Sequence, residues 1–235
     1  MIQKSILAVG LFTLLFFQTF FINNALADGY TDTYALVDRS TILLKSFGQD
    51  PNMDWFKSNV QYAKAVFVVP QMLKAGFFLG GSGGSGVLLS RALKTNTWSY
   101  PVFYSMGSVS FGLQFGGEAS EIVLMVMTKK GMDSMLTTSF KVGADVTVAA
   151  GPVGVGAKAA TTDILAFARS KGAFMGIAIE GAIIKPRQKW NTAYYKKPVS
   201  PADIIIRKTA TNPHADKLRQ AVAEQAVLQT NQVKY

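Results

Sequence analysis

From Trp98 to Thr128 the chain reads WSYPVFYSMGSVSFGLQFGGEASEIVLMVMT. Val109, Phe111, Leu113 and Phe115 alternate with Ser108, Ser110, Gly112, Gln114 and Gly116. Successive side chains of a strand point to opposite faces. The alternation therefore predicts a strand with large apolar groups on one face and small or polar groups on the other. Gly116-Gly117 marks a turn or bulge. Ile122 to Met127 is an unbroken apolar run, the pattern of a strand covered on both faces. Two strands are not stable alone, so other segments must cover them.

The flanking patterns supply that cover. Asp28 to Asp50 reads as a helix with Tyr34, Val37, Thr41 and Leu44 on one stripe and Leu36, Leu43 and Phe47 beside it. A second helix, capped by Asn52 or Asp54, carries Phe56, Val60, Ala63 and Phe67. Ala65 to Val69 reads as a strand closed by Pro70. Ala75 to Leu79 and Val87 to Arg91 read as two more, joined by a glycine-serine loop from Gly80 to Gly86. Gly81, Gly83 and Gly86 match G-x-G-x-x-G by spacing, but no helix follows and no acid stands about 20 residues on, so this is no dinucleotide fingerprint. Lys129 to Thr138 is a short helix or turn, Lys141 to Ala150 a strand, and Gly151 to Gly156 a turn. Asp163 to Arg169 and Ala173 to Ile184 read as a hairpin. The apolar stretch from Asp203 to Ile206 docks on the core. His214 to Leu228 makes a weak final helix with Leu218, Val222 and Gln225 in line.

Composition adds an address and a charge. Lys4, an apolar Ile6-to-Ile22 stretch and Ala25-Leu26-Ala27 form a secretory signal peptide over residues 1–27, with an uncleaved anchor as the rival reading. Localisation is then periplasmic or secreted, with peripheral attachment to a membrane. That segment holds one of the 24 basic residues and no acid. The remainder keeps 23 basic residues against 14 acidic ones, a net charge of +9. A basic exported protein meets anionic surfaces such as lipid head groups or envelope polymers. The absence of cysteine removes disulfides, thiol catalysis and cysteine-based metal sites.

Catalytic chemistry finds little footing. The one histidine, His214, lies beside Pro213 in a polar stretch and reads as a solvated surface residue. It supplies no triad and at most one metal ligand, so neither metal nor cofactor is expected. Among Glu118, Glu121, Asp145 and Glu180, Glu180 stands out on a small-residue face, where a structural carboxylate with a partner is the plainer reading. The strongest sign of an interaction surface is the basic-aromatic cluster Arg187, Lys189, Trp190, Tyr194, Tyr195, Lys196 and Lys197. Tryptophan and tyrosine suit a lipid-water boundary, and lysine or arginine suits anionic lipid. The same aromatics also suit the edge of a core. Export argues against single-stranded nucleic acid as the partner.

Ordered pieces of the chain resemble the SYLF domain family, a lipid-binding domain also known from fungal actin-patch regulators. They are KAGFFLGGSGGSGVLLSR, WSYPVFY, SFGLQFGG, GADVTVAAGP, ARSKGAFMGIAIEGAII and NTAYY followed by DIII. The resemblance covers about Val60 to Ile206. One departure is Tyr195-Lys196, where family members commonly carry Tyr-Gly. The resemblance implies phospholipid binding, with phosphoinositide-like head groups, and actin binding in fungal members. Export argues against actin as a partner for this chain. The expected architecture is a single α+β domain over residues 28–206, a curved antiparallel sheet or small sandwich with N-terminal helices packed on it. A polar tail with a weak helix follows over 207–235. The expected function is non-enzymatic binding of anionic phospholipid at a membrane surface. The alternatives are an envelope scaffold with incidental lipid affinity and a carboxylate-dependent enzyme using Glu180.

Overall fold

The structure is a computed structural model describing residues 31–76, 79–92, 95–111, 116–151, 162–170 and 179–227. The signal peptide, the alternation at 112–115 and the first half of the expected strand at 173–184 lie outside the described residues.

The chain forms one α+β domain built on a strongly curled mixed sheet. The strands are β1 (Ala65–Gly76), β2 (Leu79–Ala92), β3 (Thr97–Trp98), β4 (Val102–Phe111), β5 (Gly116–Val126), β6 (Phe140–Lys141), β7 (Val148–Ala150), β8 (Ile164–Ser170) and β9 (Ile183–Pro186). Their order is β6-β9-β4-β2-β1-β5-β8-β7, with β3 paired to β2. All pairs are antiparallel except β7 with β8. The helices are α1 (31–49), α2 (Asp54–Val60), α3 (Lys129–Met135), α4 (Gln188–Tyr195), α5 (Pro201–Ile205) and α6 (Asp216–Val227).

The apolar run at the end of β5 does what its composition requires, for Ile122 to Val126 are all buried. Register places Phe167, Val123, Val68, Val87 and Phe103 in one row across five strands. The helices cover this row. Phe56 meets both Phe47 and Phe167 edge-on, and Tyr194 of α4 lies 5.0 Å from Phe103. On the opposite face Phe67 packs against Tyr104, whose hydroxyl donates to the Met135 carbonyl of α3. Burial beneath α3 pushes the Tyr104 phenol well above the usual range. Coverage on both faces is why these strands lack polar alternation.

Several sequence expectations change. Pro70 does not close a strand. β1 runs through it, and its register with both neighbours shifts between Val68 and Met72. Proline has no N–H for the ladder, and a bulge accommodates that loss. The glycine-serine run is not a loop but the first half of β2, hydrogen-bonded between β1 and β4. Its glycines make room for the bulge. A Cβ on Gly86 would meet the Val68 carbonyl oxygen at 2.5 Å, and one on Gly84 the Gln71 oxygen at 2.6 Å.

The register of β4 also inverts the expected alternation, leaving Val109 69% exposed while Ser108 is half-buried and bonded to Ser82 at 2.7 Å. The expected strand from Lys141 to Ala150 is two strands, β6 and β7, separated by a turn with Gly143 at φ 87°. Strand β9, the described end of the expected second hairpin strand, pairs with β4 and β6, while residues 171–178, where the hairpin with β8 is expected, lie outside the described residues. Asp50, not Asn52 or Asp54, caps the turn before α2, accepting from Asn52 N at 2.9 Å.

The segment after Ile206 is part of the fold as far as Val227. In α6, Leu218, Ala221, Val222, Gln225 and Ala226 are buried, and Arg219 Nε donates to the Trp98 carbonyl at 2.9 Å.

Candidate functional site

Helix α4 is fixed by its inward face. Asn191 is fully buried, accepts from Phe103 N at 2.9 Å and donates to Phe103 O at 3.5 Å. The Tyr195 hydroxyl donates to Pro101 O at 2.6 Å. Tyr194 lies among Tyr34, Phe103, Tyr195 and His214. Two members of the basic-aromatic cluster, Tyr194 and Tyr195, are thus core residues with 1% and 7% exposure. Burial raises both phenols far above the usual range, so their hydroxyls stay protonated as donors. Trp190 is half-buried against Phe103, with ring centroids 6.2 Å apart.

His214 is not a solvated surface residue. Its ring lies 4.1 Å from that of Tyr34. Its Nε2 is 3.2 Å from Asp38 Oδ1 and its Nδ1 is 3.2 Å from the Tyr194 hydroxyl. An Nε2–H toward Asp38 leaves Nδ1 to accept the Tyr194 proton. Asn212 adds donor bonds to the Tyr34 hydroxyl and the Tyr194 carbonyl. This cluster binds α1, α4 and the turn that leads into α6 to one another. No signal in the sequence pairs Asp38 with His214, because the contact joins the two ends of the chain.

What α4 presents outward is cationic. Lys189 and Lys196, two turns apart on one face, are exposed, as is Lys197. Lys196 ends the helix in the left-handed conformation, φ 56°. Glycine adopts that geometry without steric cost, which gives the family's Tyr-Gly its physical reason.

The chain then turns into α5 through a capping box. Ser200 Oγ accepts from Asp203 N, and the Asp203 carboxylate accepts from Ser200 N at 2.8 Å. The Ser200 bonds, followed by the Arg207 guanidinium, hold the Asp203 carboxyl at about 2, well below the usual range. Ile204 is buried as expected of this apolar stretch, but Ile206 is 61% exposed. Lys208 takes the left-handed conformation at φ 55°. Lys197 Nζ donates to Thr209 O at 2.6 Å, folding the loop after α5 back on the end of α4.

The result joins the exposed pair Lys196-Lys197 to the exposed run Ile206-Arg207-Lys208, in which Arg207 also pairs with Asp203 at 2.6 Å. Arg207, Lys208 and Ile206 were absent from the sequence candidates. Their signal is the Ile206-Arg207-Lys208 junction, where an apolar run passes directly into two cations.

Arg187 sits at the other end of α4. Its guanidinium lies 3.3 Å from the Trp190 ring centroid, and Nη1 donates to Ser85 Oγ at 2.5 Å. The carboxylates of interest are elsewhere. Glu180 lies on an exposed turn, Glu121 pairs with Arg169 at 2.6 Å, and Asp145 accepts from Lys141 N at 2.6 Å. Asp163 is buried, which raises its pKa, but hydrogen bonds from Thr128 and Thr147 and the Lys130 charge outweigh this and lower it.

Comparison with known proteins places the arrangement. The family model Ysc84, described as Las17-binding protein actin regulator, matches residues 107–225, which include the second half of β4, all of α4 and α5 and most of α6. Protein YSC84 of Saccharomyces cerevisiae is 31% identical over 172 residues, covering 70% of this chain and 36% of that protein. LAS seventeen-binding protein 3 of the same species is 31% identical over 172 residues, with 70% and 37% covered. SH3 domain-containing YSC84-like protein 1 of Homo sapiens is 26% identical over 153 residues, with 63% and 44% covered. The chain therefore spans well under half the length of these relatives. With about half of its residues inside the family match, the chain belongs to the Ysc84 family.

Proposed function

We propose that this chain is a non-enzymatic binding module for anionic phospholipid surfaces, exported to a periplasmic or extracellular site. The contact surface in this reading is the patch of Lys196, Lys197, Arg207 and Lys208 around Ile206. One observation carries it. Lys196 and Lys208 both occupy the left-handed region, at φ 56° and 55°, beside an isoleucine left 61% exposed. A side chain with a Cβ costs about 1 kcal/mol or more in that conformation. An exposed large apolar group returns nothing to the fold. Backbone strain and unburied apolar area held at one spot fit selection for a surface role. Anionic lipid supplies a partner for both chemistries, attracting each nearby cation by about 1 kcal/mol and accepting the isoleucine among head groups.

The patch also accounts for the two tyrosines. Tyr194 and Tyr195 anchor the platform from below, and insertion falls to Ile206.

Co-sedimentation with anionic and zwitterionic vesicles tests this. Lys196→Gly together with Lys208→Gly removes two charges and relieves two strained positions. The double variant should melt at or above the wild-type temperature. It should bind anionic vesicles about thirtyfold more weakly at low salt, as expected for two basic residues at about 1 kcal/mol each. Ile206→Ser should weaken binding at every salt concentration. Unchanged binding in both variants would remove this patch as the contact.

A further inference from the structure

Arg187 stands where the helical layer stops and the open sheet begins. Phe103, under α4, shares its sheet face with Ser105, Gly107 and Val109 farther along β4. Register puts Ser85 of β2, Ser105 of β4 and Lys185 of β9 side by side in one row on that face. Adjacent strands lie about 4.8 Å apart, so the three side chains span about 10 Å. Beyond the row the floor is two glycines flanked by the exposed Leu73 of β1 and Ile183 of β9. Gly83 and Gly107 occupy the next register position, and a Cβ on Gly83 would meet nothing within 4 Å. Arg187, two residues past Lys185, bends over the row and touches Ser85.

The guanidinium is held by neutral groups. It is half-buried, stacked on Trp190 and bonded to one neutral hydroxyl. Among the described residues no carboxylate lies within 4 Å of it; Arg91 shares that lack but bonds Asn96 Oδ1 and the Gln61 carbonyl, while Arg169, Arg207 and Arg219 each pair with a carboxylate. Burial lowers its pKa, and Asp32 opposes this only from beyond ion-pair reach. A partly desolvated cation ordinarily carries a counter-ion. Here stacking on Trp190 fixes the guanidinium plane, and among the described residues only Nη1 is engaged, with Ser85 Oγ, out of five N–H donors.

We infer that Arg187, Ser85, Ser105 and Lys185 form a binding site for a phosphate monoester. Arg187 offers a planar fork to two phosphate oxygens. Lys185 brings a second positive charge, matching a dianion. The two serine hydroxyls line the floor between them: Ser85, which accepts from Arg187, keeps its own proton to donate, and Ser105 turns to a phosphate oxygen from its 3.5 Å bond to Lys185 O. The glycines beyond leave room for whatever the phosphate is attached to. A monoester carried by a lipid deepens the membrane reading above and rests on it. A free phosphate monoester uses the same donors and does not.

The test uses the full chain and two vesicle types matched in zeta potential, one carrying phosphatidic acid and one phosphatidylserine. Only the first presents a phosphate monoester. Binding to phosphatidic acid should be tighter by about tenfold, the worth of one charge-assisted hydrogen bond. Arg187→Lys, which keeps the charge but not the fork, and Ser85→Ala should each bring that ratio toward one, with circular dichroism native. A calorimetric titration with inorganic phosphate supplies the second arm. Heat that depends on Arg187 without a phosphatidic acid preference assigns the site to a free phosphate monoester. Equal binding to both vesicles together with no Arg187-dependent phosphate heat overturns the site. Binding to neither vesicle type with that heat intact overturns the membrane reading and leaves the site standing.

Discussion

The glycine-serine strand yields the sharpest quantitative expectation. Gly86 and Gly83 lie three residues apart in the same strand and point to opposite faces. A Cβ at Gly86 would sit 2.5 Å from Val68 O, 2.7 Å from Phe67 Cε2 and 2.8 Å from Val69 Cγ2. The first of these is backbone held in the β1–β2 ladder, and the other two belong to buried side chains, so none yields at little cost. Gly86→Ala must therefore push the two central strands apart. Overpacking of this kind costs about 1–3 kcal/mol, and a ladder bond lost with it adds about 1 kcal/mol. Reduced freedom of the unfolded chain returns about 0.4–1 kcal/mol. The net is a loss of about 2 kcal/mol. Gly83→Ala meets no neighbour and keeps only the favourable part, so its stability should rise by up to about 1 kcal/mol. Urea unfolding followed by circular dichroism reads both. With slopes of about 1–3 kcal/mol per molar urea, Gly86→Ala should lower the midpoint by about 1 M while Gly83→Ala leaves it level or higher. Equal midpoints for the two variants at unchanged slope would mean that residues 80–86 hang as a loop and that the bulge does not press on them.

Two further expectations concern the platform of the basic patch. Asn191→Ala leaves the buried Phe103 N–H without its acceptor and should cost about 1–3 kcal/mol, read as a melting temperature several degrees lower; an unchanged value would show that water replaces the side chain. Asp203 has its folded pKa held at about 2, below its unfolded value, so the stability it contributes is present above the unfolded pKa and is lost as pH falls through the folded one. The stability difference between wild type and Asp203→Asn should therefore shrink as pH falls from about 4 toward 2, and a difference constant over that window would remove the capping carboxylate as its source.

How much of this was legible in the sequence depends on whether the partner of a residue is local. The stripe of α1 and the line Leu218, Val222, Gln225 in α6 follow from helical spacing alone, and both face the core. Ile122 to Val126 was readable because cover on both faces leaves no polar position to confuse the pattern. The β2 glycines were not readable as strand, since their composition is that of a loop. What makes them glycine is the bulge about Pro70, a feature of the neighbouring strand. Val109 misled in the opposite sense, because its apolar side chain lies where the sheet outruns its helical cover.

The candidate site divides along the same line. Composition singled out Arg187 to Lys197, and the segment does carry cations outward. But a helix wedged against Phe103 and Pro101 must turn some side chains inward, and those were the tyrosines. Ile206, Arg207 and Lys208 join Lys196 and Lys197 through one hydrogen bond to Thr209, a contact across a loop that no local pattern encodes. Both proposed binding regions, the lysine patch and the Arg187 ledge, lie at the two ends of α4. Its buried face is locked by Asn191, Tyr194 and Tyr195, and rigidity there lets short, exposed ends hold charges in fixed positions. On these two proposals the interior of α4 is a matter of stability and its ends a matter of binding. Substitutions should separate accordingly, with core variants lowering the unfolding midpoint and end variants changing vesicle or phosphate affinity without lowering it.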